Sequence, residues 1–125
     1  MDFLDDLFII KSTEETETGF VARLCCNPAH PVYRAHFPGN PITPGACLLK
    51  TAGEVLQQKT GHPLYLKSSK NIKYLSLLVP EAGKEVRFEF SNFTEIENGC
   101  KAQLVIADET SVYSKMSLTF SYEPL

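Results

Sequence analysis

Residues 43–61 read TPGACLLKTAGEVLQQKTG, and the way this run folds decides the architecture. Thr43 can serve as an N-cap, Pro44 suits the first helical position, and Gly61 is a C-terminal stop. Between them Ala46, Cys47, Leu48, Leu49, Ala52, Val55 and Leu56 spread around most of the helix circumference. A helix that is apolar nearly all round is a buried helix.

The flanks supply what surrounds it. In EVRFEFS (85–91), Val86, Phe88 and Phe90 alternate with polar residues, as do Met116, Leu118, Phe120 and Tyr122 near the end. This period of two predicts half-buried antiparallel strands. A less regular strand is expected in 64–78. Upstream, strands at 7–13 and 19–26 flank the acidic turn TEETET (13–18) with Gly19. Asn98-Gly99 and ADETS (107–111) mark further hairpin turns. A flat sheet cannot cover such a helix. The expected fold is therefore α+β, an antiparallel sheet of about six strands wrapped around one central helix in a single domain over 1–125. Its open edges lead us to expect pairing with a second copy.

Composition narrows the function. The chain has 125 residues and a formal net charge of −3, so no nucleic-acid partner is expected. The start, MDFLDDLFIIKS, carries acidic rather than basic residues and lacks the pattern of a secretory signal. No stretch reaches the ~18 apolar residues that span a bilayer. A cytoplasmic protein without a membrane partner is expected. Cys25, Cys26, Cys47 and Cys100 show no C-x-x-C spacing and read as reduced, mostly buried thiols. No metal, nucleotide or flavin motif appears, so no cofactor is expected.

Histidine suits proton abstraction near neutral pH. Of His30, His36 and His62, only His36 sits in a rigid frame. Phe37, Pro38 and Gly39 restrict the chain beside it, and Pro41 and Pro44 stiffen the path to the helix. Gly45 and Ala46 lie in the first helical turn, where backbone N–H groups have no intrahelical acceptor. A glycine there admits a ligand close to the backbone, and the helix dipole favours developing negative charge. The loop thus offers a base (His36) and an oxyanion-hole-like cradle (Gly45, Ala46). The plainer reading is that these prolines and glycines only shape a turn and cap a helix.

HFPGNPITPG (36–45) resembles the active-site motif H-F-P-G-x-P-x-x-P-G of the bacterial beta-hydroxyacyl-acyl-carrier-protein dehydratases of the hot-dog fold. It matches at His36, Phe37, Pro38, Gly39, Pro41, Pro44 and Gly45. NIKYLSLLVPEAGKEV (71–86) resembles the strand and turn that follow the helix in that family. The resemblance implies that the histidine removes the proton alpha to a thioester whose carbonyl is polarised by the N–H at Gly45. It implies an acidic residue from the other protomer, fourteen residues after the histidine, that handles the leaving beta-hydroxyl. It also implies a beta-hydroxyacyl chain on an acyl carrier protein, in fatty-acid or polyene-type lipid synthesis.

The position fourteen after His36 is Lys50, not the usual glutamate, and Glu54 stands one turn later. Three readings follow. The chain is a dehydratase with Lys50 or Glu54 as a changed acid. It is a non-catalytic or half-catalytic partner of a related hot-dog dehydratase, as homodimer or heterodimer. Or it serves another thioester chemistry, such as an acyl thioesterase. Lys50 and Glu54 can also simply pair along one helix face. Arg34, Lys67, Lys70 and Lys73 are candidates for docking an acidic carrier protein, or ordinary solvated charges.

Overall fold

A computed structural model describes residues 3–125. Strands β1 (Phe8–Glu15) and β2 (Phe20–Cys26) lead to a short helix α1 (Val32–Ala35) and the long helix α2 (Gly45–Thr60). Strands β3 (Tyr65–Tyr74), β4 (Glu85–Ile96), β5 (Gly99–Ala107) and β6 (Val112–Ser121) follow. They form one six-stranded sheet in the order β1-β2-β4-β5-β6-β3, antiparallel throughout. The α+β architecture expected from the sequence is the one observed.

The period-two pattern places the core. Phe20, Ala22 and Leu24 of β2 stand opposite Phe90, Phe88 and Val86 of β4. Phe90 and Phe88 in turn oppose Leu104 and Ile106 of β5. Leu104, Ala102 and Cys100 oppose Met116, Leu118 and Phe120 of β6. All these side chains are buried, and so are Cys47, Leu48, Ala52, Val55 and Leu56 of α2. Each large one contributes roughly 1.5–3 kcal/mol by leaving water.

Three local expectations shift. β1 runs on to Glu15, because its ladder to β2 needs only backbone groups; the turn closes through Thr16 N–H to Gly19 O at 3.0 Å. Pro44 rather than Thr43 is the N-cap of α2, with no side-chain cap bond. Thr43 is buried, and its hydroxyl pairs with that of Tyr33. β3 ends at Tyr74, after which Leu78 turns into the core. Gly61 is the left-handed C-cap as expected, at φ 74°.

The helix is also less enclosed than its composition suggested. Ala46 and Lys50 are exposed, and Leu49, Gly53 and Gln57 only partly covered. The sheet wraps the Leu48–Ala52–Val55–Leu56 side and leaves this face open. Beside it runs the edge strand β3, where Tyr65, Leu66 and Tyr74 are exposed, followed by Leu75 and Leu77. Among the described residues no helix is long and apolar enough to cross a membrane, and no cluster of His, Cys, Asp or Glu could hold a metal ion.

Candidate active site

His36 closes α1. Its N–H donates to Val32 O at 3.1 Å and its carbonyl accepts from Ile42 N–H at 3.0 Å. Phe37 and Asn40 exchange backbone hydrogen bonds of 3.2 and 2.8 Å across Pro38-Gly39, with Gly39 at φ 71°. Proline followed by a glycine of positive φ is the signature of a type II turn. The motif therefore folds as a tight hairpin that presents His36 to solvent. The imidazole is exposed and touches the edge of the Phe37 ring, 5.5 Å between centroids.

The other histidines are otherwise engaged. His30 is buried; its Nδ1 accepts Val32 N–H at 3.0 Å and its Nε2 faces Asp6 Oδ2 at 3.3 Å. It fixes the start of α1. His62 stacks on Tyr122 at 4.3 Å, in the turn after α2.

At the head of α2, the Cys47 and Leu48 N–H groups donate to Pro44 O at 3.0 and 3.2 Å. Among the described residues nothing accepts from the Gly45 or Ala46 N–H. These donors head a helix of 16 residues, whose dipole adds positive potential there. Such a pair can bind a carbonyl oxygen that gains negative charge.

The open face of α2 lines a groove of about 380 Å³. Leu49, Leu64, Leu66 and Phe120 form its apolar wall, with Lys50, Glu54 and Gln57 as its polar groups. Lys50 is exposed, its Nζ 5.9 Å from the centre of the Phe3 ring. Glu54 is buried. Its Oε1 accepts the N–H groups of Phe3 at 2.7 Å and Leu4 at 3.0 Å, and its Oε2 has no partner among the described residues. Lys50 and Glu54 form no ion pair among the described residues, although they share a helix side. The carboxylate is drawn to the N-terminal turn instead. His36 does not line this groove. Arg34, Lys67, Lys70 and Lys73 are exposed, the three lysines on the edge strand β3.

A family model described as ApeI-like, ApeI dehydratase, matches residues 11–117. The chain belongs to the ApeI-like dehydratase family. No curated protein matches it. Among solved structures, this ApeI-like chain is similar to the dehydratase heterocomplex ApeI:P from Xenorhabdus doucetiae, at 16% identity and TM-score 0.71 over 91% of this chain and 97% of that one. It is similar to the proposed thioesterase yhdA from Lactococcus lactis, at 16% identity and TM-score 0.65 over 97% and 96%. It is also similar to the PpsC dehydratase domain from Mycobacterium tuberculosis, at 16% identity and TM-score 0.61 over 97% of this chain and 46% of that one. At such identities the likeness carries the fold, which is the hot-dog fold. Two site-adjacent residues escaped the sequence reading of this ApeI-like chain. Tyr33 is signalled only by its place three before His36, and Tyr74 only by its place in the stretch 71–86.

Proposed function

We propose that this chain supplies one half of a dehydratase site for beta-hydroxyacyl thioesters of acyl carrier protein, and that a related hot-dog protomer bearing a carboxylate supplies the other half. One observation carries this reading. The groove holds Lys50 at the position fourteen after His36, where the sequence resemblance puts the acid, and its only carboxylate among the described residues, Glu54, is buried on the Phe3 and Leu4 N–H groups. The chain thus offers a base and a cradle but no available acid.

The chemistry follows from these groups. His36 takes the proton alpha to the thioester. The thioester oxygen gains negative charge against the Gly45 and Ala46 N–H groups. The enolate electrons form the carbon–carbon double bond as the beta C–O bond breaks. The partner's carboxylic acid gives its proton to the departing hydroxyl, which leaves as water. The step is redox-neutral, and proton transfer between His36 and the carboxylate resets the site. The exposed β3 edge, with Tyr65 and Leu66, and the open face of α2 suit pairing with such a protomer.

The test uses the reverse reaction, hydration of a crotonyl thioester on carrier protein. The natural chain alone is expected to be inactive, and Lys50→Glu, which places a carboxylate at the acid position of a homodimer, is expected to gain activity that His36→Ala removes. Full activity of the natural chain alone, lost on Lys50→Glu, sinks the half-site reading.

A further inference from the structure

The head of α2 carries one more group. Tyr74 ends β3 and is pinned there by its pairing with Ser114 and by the next residue, whose N–H donates to Tyr113 O at 2.8 Å. The hydroxyl end of its ring packs against Gly45: a Cβ at position 45 would fall 2.5 Å from Tyr74 Cζ and 2.7 Å from its hydroxyl oxygen. Only a glycine leaves room for the phenol in this pose. Tyr74 is 56% exposed, and among the described residues nothing bonds its hydroxyl.

The position of that hydroxyl is informative. A Cβ sits ~2.5 Å from its own backbone nitrogen, so the hydroxyl and the Gly45 N–H lie within about 5 Å of each other. An N–H and an O–H that share one acceptor stand about 2.9 and 2.7 Å from it, hence up to roughly 5.6 Å apart. The two donors can therefore meet on a single oxygen. Among the described residues the Gly45 and Ala46 N–H groups and the Tyr74 hydroxyl all lack a partner, at the helix end where the proposed reaction puts its thioester oxygen.

We infer that Tyr74 is a substrate-binding residue of this site, its hydroxyl donating a third hydrogen bond to the thioester oxygen. This rests on the acyl-thioester reading above.

Binding to the natural protein tests both layers without turnover. The probe is crotonyl-pantetheine carrying ¹³C at its carbonyl. In the natural chain it is expected to shift the Gly45 and Ala46 amide resonances and to lower the carbonyl stretching frequency. Tyr74→Phe keeps the ring and is expected to bind about tenfold more weakly, the loss of one hydrogen bond, and to give back part of the frequency shift. Equal binding and an unchanged frequency in Tyr74→Phe overturn the role of Tyr74 alone. Tighter binding in Tyr74→Ala with no change in Tyr74→Phe makes the phenol a mere obstacle and overturns it too. No binding by any form overturns the acyl-thioester reading, and this role with it.

Discussion

The hydroxyls of Tyr33 and Thr43 stand 2.8 Å apart inside the core. Tyr33 lies three residues before His36 and Thr43 two before Gly45, so one buried bond ties the base to the cradle. Thr43 is held in turn by its N–H on Leu78 O at 2.8 Å. Removing one partner strands the other in a dry site. Thr43→Val, which strands the larger phenol, is expected to cost about 1–3 kcal/mol, and Tyr33→Phe about 1 kcal/mol. Urea unfolding of the two variants checks the order. Equal stability of both with the natural chain rules out the tie.

The same bond has a pH signature. Burial pushes the Tyr33 hydroxyl up to about 12, against a smaller downward pull from Thr43. In the unfolded chain it ionises near ~10. The folded state thus holds this proton more tightly, so the stabilisation is complete below pH ~10 and is lost as pH rises toward 12. Cys26, pushed up to about 11 chiefly by burial, acts in the same sense from lower pH. The deficit of Tyr33→Phe should therefore shrink above pH ~10, while that of a Cys26→Ala control begins to shrink about one unit earlier. Melting curves from pH 8 to 11.5 read both.

Much of this fold was legible because one pattern repeats. Val86, Phe88 and Phe90, and again Met116, Leu118 and Phe120, alternate without a break, and each lands on the buried face. The motif 36–45 was legible because proline and positive-φ glycine act locally, as at Pro38-Gly39. What escaped depends on contacts far apart in sequence. No local rule directs Glu54 to amides of Phe3 and Leu4, fifty residues away. Thr43 looked like a cap because Ser and Thr before a helix usually are; the buried phenol of Tyr33 outbid the helix end. The open face of α2 was masked because Ala46 and Leu49 read as core by type alone, whatever covers them.

Asp108 organises the β5–β6 hairpin. Its Oδ1 accepts the N–H groups of Thr110 and Ser111, each at 2.9 Å, and the Thr110 hydroxyl at 3.1 Å; its Oδ2 accepts the Tyr113 hydroxyl. Burial alone would raise this carboxyl, but these bonds prevail and hold it well below the usual carboxylate range. The unfolded carboxyl titrates near ~3.9. Its contribution is present above that pH and is lost as pH falls below it. Asp108→Asn is expected to lower stability at pH 7 by about 2 kcal/mol, and its deficit should narrow on going from pH 4 to pH 2. A deficit that widens instead would contradict this account.

Glu54 separates a structural from a catalytic carboxylate. Glu54→Ala frees the Phe3 and Leu4 amides, and charged acceptors contribute about 1.5–3 kcal/mol per bond. A loss of about 3–6 kcal/mol is expected, with fast hydrogen exchange at both amides. Glu54→Gln keeps an acceptor oxygen and should retain most of that stability. Hydration by the assembled site should survive Glu54→Gln. A collapse of kcat with the fold intact would make Glu54 the acid after all.

Lys50 gives the stoichiometry of the proposed pair. Its side chain is exposed, and its one cation–ring contact among the described residues, Phe3 at 5.9 Å, is a loose one, so Lys50→Met should change stability by no more than about 0.5 kcal/mol. In a pair with a carboxylate-bearing protomer, one site joins His36 to that carboxylate. The other joins the partner's histidine to Lys50 and lacks an acid. Lys50→Met should then leave kcat per dimer unaltered, because it changes only the idle site. Lys50→Glu should complete that site and raise kcat per dimer about twofold with KM unchanged. A fall in kcat on Lys50→Met would instead assign the ammonium a direct part in proton transfer.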